Sequence, residues 1–232
     1  FPWPSPADGV ARLTAAQLGM AIAPRRAVRE YWLGQIVNQS LPGGIAGDVG
    51  RAVRSRDGAG LGRAVSAVMI ERLAGQVAMI ALMLAGVACV TFLPGGIALP
   101  RPVLVLVLII AGAAGASGAA LVLTPRLAGL RADIARALLA RGVWQRQAGL
   151  SGAAAGLNLL SFDFCARATG TDLPAAAVLV LVPLILATMI LPLTISGWGL
   201  REGAAAALFP LVGAGSAAGL AASVAFGMMF LI

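Results

Sequence analysis

Long apolar runs alternate with short arginine-bearing segments along most of this chain. Residues 73–93 and 103–123 each run 21 positions without a charged side chain. At about 1.5 Å per residue, each makes a helix of about 30 Å, the thickness of a bilayer's hydrocarbon core. The runs at 148–168 and 173–190 are less uniform, the first holding Asn158 and Asp163 and the second Pro183. These four runs predict spans. Between the second and third, Leu127, Leu130, Ile134, Leu138 and Leu139 recur at helical spacing among five arginines. Residues 124–147 therefore predict a basic amphipathic helix on the membrane surface.

The ends of the pattern are less regular. Residues 1–9, rich in proline, predict a connection or an interfacial segment, and Val10 to Ala23 the tail of a span or a helix at the interface. Tyr31 to Ser40 is too short to span and carries Gln35, Asn38 and Gln39, which are costly in lipid unless they face protein or water. Leu41 to Arg51 follows, where Pro42, Gly43, Gly44 and Gly47 predict a break. A short helix, a break and a charged exit describe a re-entrant hairpin over 31–51. A helix is expected from near Gly60, carrying Glu71 and Arg72 to the membrane edge. After residue 190 the chain breaks again, giving a second re-entrant segment at 191–212 and a last span at 216–232. The expected fold class is all-α: one polytopic helical membrane domain over 1–232 with two Gly/Pro-broken re-entrant hairpins. The chain has no initiator Met and stops within an apolar run, so a fragment lacking terminal spans is expected.

The two breaks resemble each other. LPGGIAGDVGR at Leu41–Arg51 and LPLTISGWGLR at Leu191–Arg201 share Leu, Pro, Ile, Gly and Arg at five of eleven offsets. A broken apolar segment repeated in two halves of a membrane protein points to a transport site.

Composition agrees with the pattern: 59% of residues are hydrophobic and mean hydropathy is +0.93. No run of short alternating strands suggests a β-barrel. The net charge is +8, and all 17 basic residues are arginine. In a soluble protein that excess would suggest nucleic acid, but these arginines lie between apolar runs, so orientation and lipid headgroups explain them better. Five arginines fall in 48–72, one in 94–102, five in 124–147 and one in 166–172. The alternation places 48–72 and 124–147 in the cytoplasm.

Few groups carry chemistry. Asp48 with Arg51 reads as a headgroup site, with Gly43, Gly44 and Gly47 allowing close backbone approach, or as an ion pair that pins a hairpin. Glu71 and Arg72, as helix neighbours, do not face each other. Each is expected to pair elsewhere, Arg72 with Asp48 or Glu71 with Arg51. Arg201 and Glu202 follow Gly197 and Gly199 in an apolar region, where charge is costly and usually functional. Asn38 and Gln39 are candidates to line the same cavity. Asn158 and Asp163 read as interhelical hydrogen-bonders, Trp198 as an interface anchor, and Cys89 and Cys165 as packing residues. No catalytic set, metal site or cofactor motif is present: histidine is absent, and the two glycines at 197 and 199 lack a strand context.

The stretch QIVNQSLPGGIAGDVGRAVRSR, the run AVSAVMIERLAGQ and the stretch LPLTISGWGLREGAA together resemble the lysylphosphatidylglycerol synthase transmembrane-region family, the membrane half of the multiple-peptide-resistance-factor proteins. The resemblance covers roughly Gly34 to the C-terminus. It implies an integral inner-membrane protein, with lipid flipping assigned to the membrane half and amino-acid transfer to a soluble half missing here. The positions it carries over are Asn38, Pro42, Gly47, Asp48, Arg51, Glu71, Arg72, Pro192, Gly197, Gly199, Arg201 and Glu202. Trp198 stands where the family pattern leads one to expect a small or aliphatic residue.

The resulting expectation is a non-enzymatic protein that translocates a phospholipid or related headgroup, with Arg51, Arg72 and Arg201 reading phosphate. Its expected partners are membrane lipids and, where the pathway has one, a lipid-modifying enzyme, with no nucleic acid. Two rivals stand beside it: a membrane-embedded transferase acting on a lipid carrier, and a non-transporting scaffold.

Overall fold

The computed structural model describes residues 5–19, 24–40, 46–54, 60–92, 99–138, 143–190 and 197–229. Among them every regular element is helical, and there is no strand. The fold is all-α, and two of its helices are long and apolar enough to cross a membrane.

The first helix, α1, spans Pro6–Gln17. It begins inside the segment expected to be a connection or an interfacial segment, for a local reason. Ser5 caps it: its hydroxyl accepts the Asp8 N–H (3.3 Å) while the Asp8 carboxylate accepts the Ser5 N–H (2.7 Å). That reciprocal box, with Pro6 in the first turn where no N–H is needed, starts a helix as firmly as an apolar stripe does. Helix α2 spans Pro24–Ser40 and α3 spans Ala46–Arg54. Gly47 was expected in the break but lies buried in the first turn of α3. Asp48 in that turn and Arg51 and Arg54 in the last complement the helix dipole and offset the cost of the glycines. Pro42, Gly43 and Gly44 lie outside the described residues.

Helix α4, Leu61–Phe92, holds 32 residues and is about 48 Å long, so it exceeds the hydrocarbon core. Helix α5 spans Arg101–Leu123. The predicted surface helix is divided. A 3-10 turn at Pro125–Leu127 leads into α6, Ala128–Leu138, whereas Arg146 belongs to α7, Trp144–Ala168. On α6, buried Ala137, with the partly buried Ile134 and Leu138, packs in a cluster that includes Ala15 and Ala52. Helix α8, Ala175–Ala187, is 13 residues or about 20 Å, short of a full span by itself, and a 3-10 turn continues it over Thr188–Ile190. Helix α9, Leu200–Leu208, passes through a 3-10 turn at Phe209–Val212 into α10, Ser216–Met229. Pro192 lies outside the described residues.

The chain divides into two compact units. The first takes in residues 1–35, 47–78 and 108–154. Its core is small-residue packing, with Ala15, Ala52, Ala64, Ala67 and Ala137 around Leu18 and Ile70. A buried hydrogen bond from Gln147 to Thr14 (3.2 Å) ties α7 to α1. The second unit comprises residues 36–46, 79–107 and 155–232. Its core is aromatic: Phe162 packs on Phe226 (centroids 5.3 Å apart) and on Phe209 (6.4 Å). Glycines permit close approach there, since a Cβ on Gly86 would stand 2.6 Å from the Leu179 carbonyl oxygen and one on Gly219 would overlap that of Ala205.

Candidate functional site

The first charged cluster is built on three helices of the first unit. Helix α3 presents Asp48, Arg51 and Arg54 at three-residue spacing, hence on one side of the helix. From α4, Glu71 and Arg72 diverge by about 100° and reach different partners on α3. Arg51 forks onto Glu71, with Nη1 donating to Oε1 (3.2 Å) and Nη2 to Oε2 (2.8 Å). This bidentate geometry is the strong form of the pair. Arg72 donates to Asp48. Both pairings expected for the Glu71–Arg72 doublet therefore exist together. Arg54 donates through Nε to Glu30 of α2 (2.5 Å), and Arg26 donates to the Arg54 carbonyl (3.0 Å). The Arg51 guanidinium lies 5.7 Å from the centroid of the Tyr31 ring.

Exposure differs sharply within the cluster. The Arg51 and Glu71 side chains are 9% and 14% exposed, whereas Arg54 and Arg72 are 42% and 43%. Burial works against the charge of Arg51, but the Glu71 carboxylate more than restores it, leaving the pKa above its ordinary value. Burial pushes the Tyr31 hydroxyl up, and Glu71 adds to the rise, so the phenol stays neutral. The result is a closed central pair flanked by two arginines that reach solvent.

The second cluster, in the second unit, is closed throughout. Gly197 and Gly199 have φ of +81° and +87°, a conformation that favours glycine. Gly199 caps α9, and its N–H donates to Glu202 Oε2 (2.6 Å). The other carboxylate oxygen, Oε1, accepts from Arg201 Nη2 (2.6 Å) and from the Ser223 hydroxyl (3.2 Å). Arg201 Nε donates to Ser223 Oγ (3.0 Å). The guanidinium lies 5.3 Å from the Trp198 ring and 5.4 Å from Phe226, and its side chain is 1% exposed. A Cβ on Gly227 would overlap Arg201 Nη2.

The nominated residues thus fall in two sets. Gly47, Asp48, Arg51, Glu71 and Arg72 meet in the first unit, where Gly47 lies against Gly34, whose Cβ would be 3.5 Å from the Gly47 carbonyl oxygen. Gly197, Gly199, Arg201 and Glu202 meet in the second, and Asn38 is buried on α2 within that unit's residues. One reading is corrected. Asp163 bonds within its own helix, accepting from Arg167 Nε (2.8 Å) four residues on, rather than across helices. Trp198 packs its ring over the Arg201 guanidinium. Glu30, Tyr31, Ser223, Phe226 and Gly227 were not nominated. They join these sites through packing between distant segments, which leaves no local pattern to read.

Among the described residues no group of three or more His, Cys, Asp or Glu could hold a metal ion. What the geometry offers is charge: one cluster with arginines at its rim, one sealed. Long apolar helices, with charges paired in clusters of this kind, are features of a helical membrane protein. Residues 7–232 match the family described as "Lysylphosphatidylglycerol synthase TM region", and the chain belongs to that family. It is thereby a membrane protein connected with lipid headgroup metabolism. Comparison with curated proteins gives no match, and neither does comparison with solved structures.

Proposed function

We propose that this protein moves a phosphate-bearing lipid headgroup between the leaflets of a bacterial-type inner membrane, and that the headgroup is met at the α3 cluster. The observation that carries the reading is the exposure of Arg54 and Arg72, at 42% and 43%, on either flank of the buried Arg51–Glu71 fork. Arginine at a rim suits a phosphodiester because its planar fork offers two donors at once. The family's connection with lipid headgroups supports the class of cargo.

The rest of the reading concerns placement. Val49 and Val53 on α3 are 57% and 40% exposed, and Trp32 and Leu33 on α2 are exposed too. Apolar faces of that kind suit lipid contact, which supports reading 31–51 as a re-entrant hairpin; 191–212 is its counterpart. Acyl tails stay in lipid while the headgroup crosses. Residues 48–72 and 124–147 face the cytoplasm by the arginine rule. The protein carries out no covalent step, and a partner enzyme of the lipid pathway supplies any chemistry.

Reconstitution into liposomes with fluorescent phosphatidylglycerol tests this. The native protein should expose inner-leaflet lipid to an external quencher, and Arg54→Gln/Arg72→Gln should slow that at least about tenfold at equal folded protein, since a charge-assisted contact is worth about 1.5–3 kcal/mol. No translocation by the native protein, or an unchanged rate in the variant, overturns the reading.

A further inference from the structure

We propose that Asp48 gates the headgroup site: it holds Arg72 until a phosphodiester anion takes its place, then falls back on Arg51. The inference rests on the headgroup reading above and adds which carboxylate yields. Asp48 is shared between two cations in unequal ways. One oxygen, Oδ2, accepts from Arg72. The other, Oδ1, stands 3.8 Å from Arg51 Nη2, an ion-pair distance too long for a hydrogen bond.

Arg51 has capacity to receive it. Both of its terminal nitrogens serve Glu71, but its Nε is buried and has no hydrogen-bond partner among the described residues. Arg51 itself is 8% exposed. A carboxylate with one partner would be stranded on losing it, and a stranded buried charge is strongly unfavourable. Asp48 is not in that position, because a second guanidinium remains within 4 Å when Arg72 leaves. Glu71 is in that position: both its oxygens are committed to Arg51, so this pair stays closed while Asp48 moves.

Asp48 is therefore a competitor of the incoming anion for Arg72. It is a specificity residue, and its loss has an unusual sign. Neutralising an acid that merely supports the fold weakens binding; neutralising a competitor strengthens it. The shared chemistry recognised is a phosphoryl oxygen, on a lipid or on free phosphate.

The test is a calorimetric titration of the full chain in uncharged detergent, with dihexanoyl phosphatidylglycerol and, separately, inorganic phosphate. Asp48→Asn should bind at least one probe about threefold tighter or more, the scale of one partly exposed ion pair removed from competition. The probe that shows the gain tells lipid from free phosphate. Asp48→Glu should return to native affinity, and Arg72→Gln should bind at least about tenfold weaker. If Asp48→Asn fails to fold, Asp48→Ser gives the same readout. Equal or weaker binding in the neutral variant, with melting temperature unchanged and Arg72→Gln still impaired, overturns the gate alone. Native protein that binds neither probe, or an Arg72→Gln variant that binds like native, overturns the headgroup site and the gate with it.

Discussion

Arg51 and Arg201 are both buried, both end an LP…I…G segment, and both pair with a carboxylate, but the carboxylates come from different places. Arg51 takes Glu71 from another helix, with Tyr31 from a third beside it, and the pair is bordered by arginines that reach solvent. Arg201 takes the next residue in the chain, and Trp198, Phe226 and Ser223 close around it. The shared residues therefore repeat a way of burying an arginine, not a way of presenting one. A charge closed on every side can hold a fold together, whereas a charge with an open rim can also exchange partners.

The largest effect should come from opening the sealed cluster. Arg201→Ala leaves Glu202 and Ser223 without their shared donor and should cost about 3–5 kcal/mol, the usual penalty for stranding one member of a buried pair. Melting of the purified protein measures it, and a change under about 1 kcal/mol would mean that water already reaches this arginine. Crowding the same cluster should cost less. Gly227→Leu places a side chain where Arg201 and Trp198 now lie and should lower stability by about 1–3 kcal/mol. The same substitution at Gly112, where a Cβ meets nothing within 4 Å, should be nearly silent and makes the control. The smallest effect belongs to the open cluster: Tyr31→Leu removes a ring from beside Arg51 and should cost about 0.5–1 kcal/mol, while Tyr31→Lys, which sets like charge beside Arg51, should cost more. If Tyr31→Leu destabilised as much as Arg201→Ala, the contrast between the clusters would fail.

Much of this was legible along the chain. Runs of 21 uncharged apolar residues fix α4 and α5, because length and hydropathy decide such helices without help from packing. The split of Glu71 and Arg72 between two partners followed from their spacing on a helix alone. Part of what stayed hidden is local, and part depends on contact between distant segments. Helix α1 has only a weak apolar pattern, and the Ser5–Asp8 capping box that starts it lies in a segment whose prolines predict a connection or an interfacial segment. The apolar stripe of α6 predicts a surface helix, and nothing local shows that Ala15 and Leu18 of the N-terminal segment share a cluster with Ile134, Ala137 and Leu138. Asp163 lies in an apolar run, where a bridge between helices is expected, yet one of its oxygens accepts from Arg167 one turn on. Rings beside guanidiniums carry no spacing signature, so Tyr31 and Phe226 could only appear once the chain was folded.

The central claim is that the α3 cluster handles lipid and the α9 cluster holds structure. Replacing each buried pair whole, rather than breaking it, separates the two, because a buried ion pair exchanged for apolar or neutral residues of similar volume often leaves stability unharmed. Arg51→Met/Glu71→Leu removes the first pair. Arg201→Met/Glu202→Gln removes the second and keeps an acceptor for the Gly199 N–H. Both should be reconstituted at equal amounts of folded protein and assayed for movement of fluorescent phosphatidylglycerol. The account predicts that the first double variant loses at least about tenfold in rate while the second stays within about twofold of native. Normal translocation by the first, or a loss confined to the second, would contradict it.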